Sequence, residues 1–143
     1  LFAPSVFNFY HPYYGPPGII ADNAYFAPEF EISTSGSLTG FADFSKWAVI
    51  GGFGQYETDS GKRIVPDYSA YLPLATSDPA AMVDQLNLVL MGGSMSAQFR
   101  AQLLTSIGKV SAWPVNDVAG QRLERLKMAL WLIVNSPEYM IQK

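Results

Sequence analysis

The single histidine of the chain, His11, lies in the string Phe9-Tyr10-His11-Pro12-Tyr13-Tyr14, where an imidazole can act as base or ligand. With no cysteine and no second histidine, a metal site would draw its other ligands from carboxylates, a donor set that suits magnesium or calcium better than zinc. Glu29 and Glu31 stand two apart, so in an extended segment both side chains leave one face while Phe30 and Ile32 leave the other. Two carboxylates on one face can share acid–base work or bind a cation, and Asp22 joins them only through a turn. Both features have plainer readings, His11 as one hydrogen-bonded ring among aromatics and Glu29/Glu31 as the alternation of a half-buried strand. On those readings no metal and no cofactor is expected.

Tyr10, Tyr13, Tyr14, Tyr25 and Phe26 can stack on sugar rings, or pack a proline-rich coil onto helices; packing is favoured because such a coil has no regular face of its own. Gly51-Gly52-Phe53-Gly54 lacks the Lys-Ser/Thr ending of a phosphate-binding loop and the third glycine of a dinucleotide fingerprint, so it reads as a turn. No Gly-x-Ser-x-Gly elbow is present, and Gly92-Gly93-Ser94 reads as a link between helices.

These residues need a scaffold, and the scaffold is one domain's worth of chain. It holds 49% apolar but only 15% charged residues, against a typical ~25% charged, so part of its apolar surface is expected to face a partner. A net charge of -3 with no basic stripe argues against nucleic acid. The longest apolar run, Met128 to Val134, is far below the ~20 residues of a membrane-spanning helix. Leu1 is not an initiator methionine, and the native protein is expected to begin upstream.

The fold class expected is mainly α. Residues 1–36, rich in proline and aromatics, are expected to run as an extended, irregular coil packed on three to four helices. Residues 37–50 repeat Leu38, Phe41, Ala42, Ser45 and Ala48 at helical spacing, and Gly51-Gly52 ends that helix. Residues 51–76 read as an ordered loop or a small β-hairpin turning at Asp59-Ser60-Gly61-Lys62. Residues 77–143 read as a helical bundle. Asp78-Pro79 opens a helix carrying Met82, Val83, Leu86, Val89 and Leu90, and Ser94 or Ser96 opens one carrying Phe99, Leu103 and Ile107. After Asn116-Asp117 a long helix carries Val118, Leu123, Leu126, Leu130, Ile133 and Val134, with Arg122, Glu124, Arg125 and Lys127 largely off that face. Ser136-Pro137-Glu138 caps a terminal turn.

Four strings together, Ala3-Pro4-Ser5-Val6-Phe7-Asn8-Phe9-Tyr10, Pro16-Pro17-Gly18, Ala27-Pro28-Glu29-Phe30-Glu31-Ile32 and Val134-Asn135-Ser136-Pro137-Glu138-Tyr139, resemble the C-terminal portion of the bacterial family catalogued as domain of unknown function 1800. The resemblance covers both ends of the chain and, more loosely, the helices between; residues 51–68 match no pattern of that family. It implies a largely helical protein of several hundred residues, frequently exported, and no agreed catalytic residues.

The expected role is therefore a structural or interaction lobe, either a single helical domain or the C-terminal lobe of a larger exported protein. Its partners would be the upstream remainder of its own parent chain, another protein, or a second copy held through exposed apolar surface. The rivals are a hydrolase site using Glu29 and Glu31, and perhaps His11, completed by upstream residues, and a glycan platform built on Tyr10, Tyr13 and Tyr14.

Overall fold

The computed structural model of the chain describes residues 10–52, 64–111 and 117–141. Over these it is mainly helical: α1 (Ile19–Asp22), a 3-10 turn (Pro28–Ile32), α2 (Ser35–Gly51), α3 (Leu74–Ser77), α4 (Pro79–Met91), α5 (Ala97–Gly108), α6 (Val118–Val134) and α7 (Pro137–Met140). The chain divides into two compact units, Leu1–Phe44 and Ser45–Lys143, with α2 contributing residues to both. No helix among the described residues is long and apolar enough to cross a membrane.

Each longer helix starts where a side chain satisfies its first free N–H groups. Thr34 and Ser37 cap α2 reciprocally, the Thr34 N–H donating to Ser37 Oγ at 2.9 Å and the Ser37 N–H to Thr34 Oγ1 at 3.1 Å. Asp78 Oδ1 accepts from Ala81 N–H at 2.9 Å before Pro79 at the first position of α4. Ser96 caps α5 through Phe99 N–H, Asp117 caps α6 through Gly120 N–H, and Ser136 caps α7 through Tyr139 N–H. At the far end of α4, Gly92 takes a left-handed φ of 59°, and Gly93 N–H returns to the Asn87 carbonyl at 3.1 Å. Because its cap is a single charge-assisted bond, Asp78→Ala is expected to cost about 1 kcal/mol in denaturant unfolding.

The core of Ser45–Lys143 is built from Ala75 of α3, Met82, Val83, Leu86 and Met91 of α4, Leu103 and Ile107 of α5, and Leu126, Ala129 and Ile133 of α6. Fully burying side chains of this size contributes roughly 1.5–3 kcal/mol each, the main favourable term available to the unit. Arg100 of α5 ties the outer faces of α4 and α5 by donating from Nε and Nη2 to the two carboxylate oxygens of Asp84 at 2.6 and 2.7 Å. Those hydrogen bonds hold the Asp84 pKa below the usual carboxylate range against the opposing effect of burial, and the guanidinium's charge adds a smaller lowering.

Several expectations need correction. Residues 1–36 are not a continuous extended coil: two short helical turns interrupt the described part, Ile19–Asp22 and Pro28–Ile32. α2 begins at Ser35, two residues before the expected start, because the Thr34/Ser37 box supplies its cap. Residues 64–76 are more than a loop, since Tyr68, Tyr71 and Leu72 pack on the core and α3 places Ala75 inside it. The turn of the expected β-hairpin lies outside the described residues. On the helical stripes, Val89, Val118 and Leu38 face solvent, whereas Phe99 and Leu130 are half-buried against the core. Arg122 and Arg125 are half-buried too, rather than off the packed face.

Candidate functional site

Within Leu1–Phe44 the sequence folds back on itself from a proline turn. Pro12 fixes φ at the second position of the turn closed by Tyr14 N–H on the His11 carbonyl at 2.9 Å. The Tyr14 carbonyl then accepts from Ala27 N–H at 2.8 Å, which brings the segment before the 3-10 turn alongside the proline turn. A Cβ on Gly15 would stand 2.8 Å from the Tyr25 carbonyl oxygen, so only glycine allows the two stretches to approach this closely. Tyr13 and Phe26 meet edge to face across them, with ring centroids 5.6 Å apart.

This arrangement joins two of the residues singled out by their chemistry. Glu31 receives the His11 backbone N–H on Oε2 at 2.8 Å, and the His11 ring nitrogen Nδ1 lies 2.5 Å from Oε1. The carboxylate therefore fixes the backbone and the imidazole of one residue at once. With Glu31 ionised, Nδ1 carries the shared proton, and Nε2 is the ring nitrogen left to accept another. The His11 side chain is 82% exposed and that of Glu31 18%, so the carboxylate lies beneath a ring open to solvent. A carboxylate-oriented imidazole of this kind can take up a proton from a bound group or supply one ligand to a metal.

Glu29 is not part of the pair. In the 3-10 turn successive residues rotate by about 120°, so side chains two apart do not share a face, and the extended reading that put Glu29 beside Glu31 is overturned. Glu29 is exposed, and Asp22 sits exposed in α1. No group of three metal-ligating side chains occurs among the described residues. Tyr10 and Tyr14 are half-buried, and Tyr13, 79% exposed, has Phe26 as its ring neighbour. Phe53 and Gly54, in the glycine string, lie outside the described residues.

The Glu31 pKa is lowered chiefly by the His11 backbone N–H; desolvation opposes this, and the imidazole's hydrogen bond and charge add smaller lowering contributions. A carboxylate depressed on folding contributes stability that is fully present above its unfolded pKa and is lost as pH falls through the lowered folded value. Acid unfolding of the wild-type chain is therefore expected to show this loss in the acid range, and Glu31→Gln to remove that part of the pH dependence. An unchanged acid limb in the variant would show that the contact does not persist in solution.

Contacts invisible in the sequence lie elsewhere. Glu138 of α7 accepts from Ser96 N–H at 2.8 Å and Ser96 Oγ at 2.6 Å, so it reinforces the cap of α5 across 42 residues. Beside it an open cleft of ≈ 620 Å³ is lined by Leu90, Met91, Ser94, Tyr139, Met140 and Ile141. Tyr68 Oη donates to the Val49 carbonyl at 2.7 Å, and burial raises its pKa. No family model, curated protein or solved structure matches the chain.

Proposed function

We propose that the chain is an interaction lobe, the C-terminal part of a larger exported bacterial protein of the kind catalogued as domain of unknown function 1800. The observation that carries this reading is that helices whose inner faces build the core also hold large apolar side chains in water. α4 buries Met82, Val83 and Leu86 yet leaves Leu88 and Val89 68% and 62% exposed, and α6 buries Leu126, Ala129 and Ile133 yet leaves Val118 exposed. Apolar surface of this kind is what a docking face looks like before its partner is in place. The four strings quoted above support the parentage and, through it, the exported location.

Light scattering and an apolar-surface dye test the proposal at micromolar concentration, with the full-length parent as control. The isolated chain is expected to self-associate and bind dye, and Leu88→Glu with Val89→Glu to reduce both while leaving the helical circular dichroism intact. A wild-type chain that stays monomeric and dark with the dye would sink this reading.

One observation favours a second reading, in which His11 and Glu31 belong to a proton-transfer site completed by the rest of the parent: the carboxylate and imidazole meet at hydrogen-bonding distance from positions 20 residues apart. In that case full-length protein turns over ester, phosphate or glycoside substrates, and His11→Ala and Glu31→Gln abolish turnover while Glu29→Gln spares it.

A further inference from the structure

On α6 each of two arginines lies one helical turn before a fully buried residue, Arg122 before Leu126 and Arg125 before Ala129. Four-residue spacing puts each guanidinium stem on the side of the helix that enters the core, and the two are i,i+3 neighbours, roughly 5–6 Å apart at Cβ. Both side chains keep part of their surface in solvent, but both Nε atoms are buried without a hydrogen-bond acceptor. A guanidinium does not lose its proton in a protein, and two like charges at this spacing repel. Their place in the N-terminal half of α6 adds no compensation, because that half is the positive end of the helix dipole.

The described acidic groups of the same unit are all engaged elsewhere. Of the helices packed on α6, α3 and α5 carry no acidic residue, and Glu138 of α7 holds Ser96. Asp67 accepts from Ser69 N–H, Asp78 and Asp117 cap their helices, and Asp84 holds Arg100. Glu124, on the far side of α6, pairs with Lys127 at 3.4 Å. None of these acidic groups pairs with Arg122 or Arg125, which leaves water and dissolved anions to meet the two guanidinium groups.

We propose that Arg122 and Arg125 form a binding site for one small, doubly charged oxyanion, a phosphate group or a dicarboxylate. Two guanidinium groups at i,i+3 spacing can meet two negative charges on one ligand, and a monocarboxylate would leave one cation unbalanced.

Thermal unfolding of the 143-residue chain tests this at constant ionic strength, with inorganic phosphate, malonate, acetate or chloride as the varied anion. Phosphate or malonate is expected to raise Tm, by about 5 °C at roughly ten times its Kd, while acetate and chloride do not. A response to phosphate alone assigns the ligand as a phosphate group, and a response to malonate alone assigns a dicarboxylate. Arg122→Gln/Arg125→Gln abolishes the shift, and Arg122→Lys/Arg125→Lys, which keeps charge and stem but loses the forks, weakens it. The proposal is overturned by an equal response to all four anions, or by a shift that survives in the glutamine variant. It is equally overturned if none of the four anions shifts the Tm of the wild-type chain.

Discussion

Leu126→Ala is expected to lower the unfolding free energy by about 2–5 kcal/mol, the range for removing a buried leucine that leaves a cavity behind. Leu126 is wholly inaccessible to solvent and sits among Leu103 and Ile107 of α5 and Ala129 and Ile133 of α6. Leu130, one turn later, is only half-buried against the same core, so Leu130→Ala should cost less. Denaturant unfolding of both variants gives the order directly. A larger loss for Leu130 would mean that α6 presents a face rotated from the one described.

Gly52→Ala is the second large effect, and its size comes from backbone rather than burial. Gly52 ends α2 at φ 81°, a region that costs a side-chain-bearing residue of order 1–3 kcal/mol. A Cβ there would also run into the Ile64 carbonyl oxygen, and backbone cannot swing aside as a flexible side chain can. The same substitution at Gly40, inside α2 with nothing within 4 Å of the new atom, is expected to stabilise the chain by about 0.5–1 kcal/mol. Opposite signs for one chemical change are what thermal unfolding should report. If Gly52→Ala proved as harmless as Gly40→Ala, the approach of Ile64 to the end of α2 would not exist in solution.

The bundle was legible because its signals are local. Asp78-Pro79, Ser96, Asp117 and Ser136-Pro137 announce helix starts through the hydrogen bonds their own side chains make, and Gly92-Gly93 announces an end through its φ. Thr34 and Ser37 carry the same kind of signal, but the box closes with serine in place of glutamate and so lacks the usual sequence signature. α3 escaped because four residues span one turn, too short for a period to show. Arg122 and Arg125 fall outside the apolar stripe as the sequence shows it, although counting back four residues from Leu126 and Ala129 points to the core side. His11 and Glu31 could be named separately as chemistry-bearing residues. Their meeting depends on the Tyr14–Ala27 hydrogen bond and the bare Cα of Gly15, which no spacing rule encodes.

The Ser96–Glu138 contact has a consequence for the order of synthesis. A ribosome releases α5 well before α7, so the first turn of α5 emerges with its serine cap but without the carboxylate that braces Ser96 from a later segment. Until that segment arrives, the Ser96 N–H can only be hydrated. Released chains ending before and after α7 should accordingly differ in amide exchange at the start of α5, some 40 residues upstream of Glu138.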